Sequence, residues 1–121
     1  MSVFQEYVDK IKTEYAVTEK QQGKFSTVLF TMADSDGLVT VAVSGNSTKS
    51  AEEITVRVIK AVESGDEYLA KCNRFNSQST GIIAFIDKNK LVTSQTVSAP
   101  TVAKINNIIG QLAVVNSYVR K

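Results

Sequence analysis

The fold turns on Phe25-Ser26-Thr27-Val28-Leu29-Phe30-Thr31-Met32-Ala33, then Asp34-Ser35-Asp36-Gly37, then Leu38-Val39-Thr40-Val41-Ala42-Val43. The two flanking runs are dense in β-branched and aromatic residues, which pack well on a pleated surface. The tetrapeptide between them supplies side-chain bonding to the turn from Asp and a positive φ from Gly. The stretch therefore predicts an antiparallel hairpin.

Upstream, Ser2-Val3-Phe4-Gln5 has the form of a capping box, with Ser2 accepting from the third helical N–H and Gln5 reaching back. Phe4, Val8, Ile11 and Tyr15 follow at helical spacing, so a helix is expected over residues 2–17. The polar stretch 18–24 reads as a connection. Downstream, Ser50-Ala51-Glu52-Glu53 forms a second capping box before Ile54, Val58, Ala61 and Val62, which predicts a helix over 50–64 capped by Gly65. Residues 67–75 read as a strand or as a last helical segment, with the strand favoured. Residues 80–86 and 90–97 read as strands around Asp87-Lys88-Asn89. Pro100 suits a first helical turn, and Val102, Ile105, Ile109, Leu112 and Val119 share one apolar face of a terminal helix.

The expected order is α-β-β-α-β-β-β-α in a single domain spanning 1–121. Hairpins dominate, so the fold class is α+β with a central, mostly antiparallel sheet. The terminal helices are expected on one face of that sheet and the helix of 50–64 on the other. Phe4, Ile11, Val28, Ile54, Val58, Phe85, Ile105 and Leu112 are the expected core.

Composition narrows the chemistry. The 121 residues are 43% hydrophobic and 21% charged, ordinary for a folded domain. A net charge of +2 is too balanced for a general nucleic-acid binder, whose basic stripe stands out. The apolar runs are too short to span a membrane. No basic region precedes an apolar run of roughly 7–15 residues, so no secretory signal is visible. A single cysteine, Cys72, leaves no internal disulfide and no multi-cysteine zinc site, which points to a reducing, cytoplasmic setting. In that setting the acceptor pattern Asn46-Ser47-Thr48 carries no glycan.

The chain has no histidine, which excludes Ser-His and Cys-His nucleophile systems and imidazole bases. Cys72 then has no activating base and reads as an inert thiol. Glu52 with Glu53 occupies a helix start, where the macrodipole favours acids, and Asp34 with Asp36 belongs to a turn. Neither pair needs a catalytic explanation. Gly45-Asn46-Ser47-Thr48-Lys49-Ser50 sits where a phosphate loop would, but it lacks the glycine directly before the lysine that lets backbone wrap a phosphate. The chain reads as a binding protein without a cofactor, not as an enzyme.

Two segments carry a family resemblance. Ser2-Val3-Phe4-Gln5-Glu6-Tyr7-Val8-Asp9 resembles the profilin opening Ser-Trp-Gln-x-Tyr-Val-Asp, with Phe for Trp and one residue inserted. Ala51-Glu52-Glu53-Ile54-Thr55 resembles the start of an internal profilin helix, and the element order agrees along nearly the whole chain. The chain has no tryptophan, whereas typical profilins pair two in a polyproline groove, and its 67–97 region is shorter. Those departures resemble the divergent archaeal profilins of the Asgard lineages.

The resemblance implies a monomer that binds monomeric actin and regulates its polymerisation. It implies an actin surface at Lys71, Arg74, Lys88, Lys90, Lys104 and Asn107. It also implies a polyproline site at Phe4, Tyr7 and Tyr118, with weak or absent affinity for proline-rich peptides, and phosphoinositides as a further class of ligand. The same element order suits a roadblock- or longin-type dimerisation scaffold for a small GTPase. A small inhibitor protein is a third reading.

Overall fold

The structure, a computed structural model, describes residues 3–34, 37–46, 53–79, 81–98 and 101–121. Ser2, Ser35, Asp36, the segment 47–52, Thr80 and Pro100 lie outside the described residues. Both capping boxes and the would-be phosphate loop therefore fall wholly or partly outside them.

Three helices, α1 (Val3–Ile11), α2 (Leu69–Gln78) and α3 (Val102–Arg120), accompany six strands. The strands are β1 (Thr18–Gln22), β2 (Phe25–Asp34), β3 (Gly37–Asn46), β4 (Glu53–Ala61), β5 (Ile82–Asp87) and β6 (Lys90–Ser98). They form one sheet in the order β1-β2-β3-β4-β6-β5, with every neighbouring pair antiparallel. The α+β class and the antiparallel sheet are as expected.

The β2–β3 hairpin lies inside this sheet, between β1 and β4. Val28 faces Val43, Phe30 faces Val41, and pairing runs to Asp34 opposite Gly37. The second expected hairpin also forms, with Asp87 opposite Lys90 and Lys88 in the left-handed region at φ 57°.

Alternation along the strands sorts them into two faces. Val28, Phe30, Val41, Val43, Ile54, Val56 and Val58 point to one side and form a buried cluster with Phe4, Tyr7, Val8 and Ile11 of α1 and Ile105, Ile108, Ile109 and Leu112 of α3. Each such aliphatic side chain stabilises the fold by about 1.5–3 kcal/mol when fully buried. The terminal helices thus share one sheet face, as expected. All the residues expected in the core are buried except Phe85, which is half-buried on the opposite face.

Four local expectations are overturned. Residues 53–61 are strand, not helix: Ile54, Val56 and Val58 are buried while Glu53 and Arg57 are exposed, a period of two. The helical stripe was drawn from Ile54 and Val58, which also share a strand face. Residues 67–75 are not strand. A 3-10 turn at Gly65–Tyr68 leads into α2, and Gly65 is buried there instead of capping a helix. The first helix ends at Ile11, and the polar connection contains β1, which has no apolar alternation because all five of its residues are exposed. Finally, no helix covers the second sheet face among the described residues. The remaining helix, α2, instead packs Cys72 against Ala84, Leu91 and Val119 on the side of α3. Ala84 pairs with Thr93, whose hydroxyl donates to the Leu112 carbonyl of α3 at 3.0 Å, which fixes that side.

Candidate functional site: the cleft between the second and third helices

One buried and one part-buried set of polar contacts hold α3 and α2 in place. Asn116, fully buried on α3, donates from Nδ2 to the Val58 carbonyl at 3.0 Å and the Leu91 carbonyl at 3.1 Å. Its Oδ1 accepts from Arg120 Nε at 2.9 Å. Asn76 of α2 bonds both backbone groups of Ala84 on the edge strand β5. At the start of α3 the Thr101 hydroxyl accepts from the Lys104 N–H at 3.1 Å, a normal N-cap.

Held this way, α2 and α3 leave a cleft of about 370 Å³ lined by Lys71, Arg74, Phe75, Gln78, Tyr118, Val119 and Lys121. The α2 residues recur at i, i+3, i+4 and i+7, one face of that helix. Lys71 lies with its Nζ 5.5 Å from the centre of the Tyr68 ring and donates to the Lys121 carbonyl at 3.0 Å. Tyr118 is 70% exposed. A second, largely apolar hollow of about 470 Å³ is lined by Ile82, Gly110, Gln111, Val114 and Val115. Phe75 and Val119 of the cleft and Val115 of this hollow belong to one packed cluster.

The expected actin residues are brought together only in part. Lys71 and Arg74 line the cleft. Lys88 and Lys90 lie at the β5–β6 turn, and Gly65, packed against the Lys88 carbonyl, ties that turn to the approach of α2. Asp66, Glu67 and Asp87 lie at the same end, although no acid lines the cleft itself. Lys104 and Asn107 are exposed on the first turns of α3. At a rise of about 1.5 Å per residue, Lys104 lies about 21 Å and Asn107 about 17 Å from Tyr118 along the helix.

The polyproline set is not assembled. Phe4 and Tyr7 are 3% and 1% exposed and sit in the core, while Tyr118 is on the α2 side of α3. Two features make this physical. Phe4 packs so closely on Gly45 that a Cβ there would lie 2.8 Å from its Cδ1. Burial, with Tyr15 and Glu14 adding to it, pushes the Tyr7 hydroxyl well above the usual phenol range, and its oxygen has no hydrogen-bond partner among the described residues.

Burial also raises the Cys72 thiol, which lies in a helix, not a strand, and faces the packed cluster. Among the described residues no group of three or more Asp, Glu, His or Cys could hold a metal ion. No described helix is long and apolar enough to cross a membrane.

Gly110, Val114, Phe75, Gln78 and Ile82 were not among the expected site residues. The available signal was a glycine in the middle of a strong helix, followed by Val114 and Tyr118 at i+4 and i+8. No known family model matches the sequence, and no curated protein shows significant similarity to it.

Proposed function

We propose that the chain is a non-catalytic binding module that holds monomeric actin through the cation-lined cleft and so regulates its polymerisation. The observation that carries this reading is the cleft of Lys71, Arg74 and Lys121 beside the exposed ring of Tyr118, with no acid in its lining. Positive walls around an aromatic anchor suit an acidic protein surface, steering its approach and fixing its register. Support for actin in particular comes from the profilin-like opening around Phe4, Tyr7 and Val8 and from the shared face of the terminal helices. The second matched segment lends none, since Glu53, Ile54 and Thr55 belong to a strand.

Under this reading the protein acts as a cytoplasmic monomer. A phosphoinositide headgroup competes for the same cations, and proline-rich peptides bind weakly or not at all because Phe4 and Tyr7 are withdrawn from the surface. The test is actin polymerisation with the wild type and with Lys71→Glu/Arg74→Glu at two salt concentrations. Sequestration by the wild type and its loss in the double reversal is the expected result. No effect of the wild type on actin removes the reading.

One observation favours a second reading, a dimerisation scaffold of the roadblock or longin kind. The uncovered sheet face exposes Phe25, Leu38 and Ile83. A sizing column separates the two, since this reading requires a dimer.

A further inference from the structure

Gly110 serves no purpose within the chain. Its φ is not positive, and a Cβ built there meets nothing within 4 Å. A glycine in a helix interior costs roughly 1 kcal/mol relative to alanine. What glycine uniquely offers is close approach of another backbone. It lies on the exposed side of α3, over the hollow that Ile82, Val114 and Val115 line.

The surroundings specify what approaches. Lys104, Asn107, Gln111, Val114 and Tyr118 recur at three- and four-residue spacing and are all exposed, forming one ridge along α3. The middle of the ridge is apolar beside Gly110, with Val114 69% exposed. Its two ends are basic, Lys104 at one and the Lys71–Arg74 wall of α2 at the other. No residue lining either hollow is acidic. A surface along α3, apolar in the middle where Ile82 of β5 adjoins it and positive at both ends, matches a helix with an apolar stripe flanked by acids.

We propose that the surface along α3, from Lys104 past the Gly110 hollow to the α2 wall, docks an acidic amphipathic helix of a partner protein, which crosses α3 at Gly110. Packed helices lie about 8–10 Å apart, and a glycine at the crossing permits the short end of that range. Val114, Ile82 and Tyr118 take the apolar stripe, and Lys71, Arg74 and Lys104 meet the acids. The charged ends rest on the basic-cleft reading of the function; the apolar middle and Gly110 do not.

The probe is a fluorescein-labelled synthetic helical peptide with Leu at i, i+3 and i+4 spacing and Glu on both flanks, with a Lys-for-Glu counterpart. Anisotropy gives affinities for the wild type, Gly110→Leu and Phe25→Ser, and amide shift mapping locates the site. The expected result is binding of the Glu peptide, shifts confined to α3, α2 and the start of β5, and at least tenfold weaker binding by Gly110→Leu. Phe25→Ser on the other face should bind as the wild type does. The melting temperature of Gly110→Leu should not fall, because leucine is the better helix former. No binding of the Glu peptide, equal binding of the Lys peptide, shifts on the outer sheet face, or full affinity in Gly110→Leu each overturn the proposal. A protein that binds the peptide but not actin keeps this surface and loses the actin reading. One that sequesters actin equally with and without Gly110→Leu does the reverse.

Discussion

Asn76 on α2 closes on the backbone of Ala84 in β5 from both sides, donating from Nδ2 to its carbonyl at 2.8 Å and accepting its N–H on Oδ1 at 2.8 Å. A single amide thereby imitates a paired strand at the sheet's edge. It blocks the ladder groups that an outside strand would use, and it holds the α2 wall of the cleft against the sheet.

Replacing Asn76 by Ala should therefore cost stability and loosen the cleft together. Two hydrogen bonds at a half-covered edge are worth about 1–2 kcal/mol net. The urea midpoint should fall with an unchanged m-value, and light scattering should report more self-association through the freed edge. An unaltered midpoint would show that water replaces the amide at no cost.

Gly65 is the second tether. A Cβ at this position would collide with the Lys88 backbone carbonyl and the Ile86 side chain. Backbone cannot retreat as a side chain tip can, so Gly65→Ala should destabilise by about 1–3 kcal/mol, the scale of overpacking. Its N–H donates to Asn89 Oδ1 at 3.2 Å, and the displacement should break that bond too. Thermal melts of Gly65→Ala beside Gly23→Ala are the check. Gly23 has open space but a φ of 63°, so its penalty comes from backbone strain without a clash.

Tyr7 offers a pH-dependent prediction. Its native hydroxyl holds its proton above the ordinary phenol value near 10, because burial disfavours the charged form. The contribution is fully present below that value. As pH rises past it, the unfolded chain ionises first and stability falls, by at most about 1.4 kcal/mol per pH unit for one group. Tyr7→Phe removes both this dependence and an oxygen with no partner among the described residues, so it should match or exceed the wild type at pH 7. Urea melts from pH 8 to 11 should show the two proteins diverging. Parallel curves would mean that the hydroxyl reaches water.

Charge reversal separates binding from folding. Lys71 and Arg74 are exposed, so Lys71→Glu/Arg74→Glu should melt within a few degrees of the wild type. If the cleft is desolvated by its partner, lost pairing costs about 2–5 kcal/mol of affinity, and binding is abolished at ordinary concentrations. Lys12→Glu, in the turn just after α1, breaks an exposed pair with Glu19 at 3.0 Å, worth about 1 kcal/mol or less, and should leave binding intact. Equal loss in both variants would point to bulk charge and away from a site.

Several elements were legible because their signals are local. The β2–β3 and β5–β6 hairpins carry their own strand residues and turn chemistry, and α3 carries a long apolar stripe, so neighbours in sequence suffice to specify them. The chain by itself also determined that imidazole and disulfide chemistry are absent. The basic character of Lys71 and Arg74 was visible too. The rest required partners far along the chain. Ile54 and Val58 fit a helix stripe and a strand face equally, and only the pairing of Val58 with Val41 on β3 and Thr93 on β6, and of Ile54 with Val97 on β6, selects the strand. β1 has no apolar residue to announce it; it forms because the edge of β2 lies free beside it. α2 buries little of its own, and its Cys72 finds cover only where Ala84, Leu91 and Val119 meet. Which aromatic rings face outward was likewise a tertiary decision. Tyr7 and Tyr118 have the same chemistry, but the sheet buries one side of each helix, and that contact makes one residue core and leaves the other on the surface.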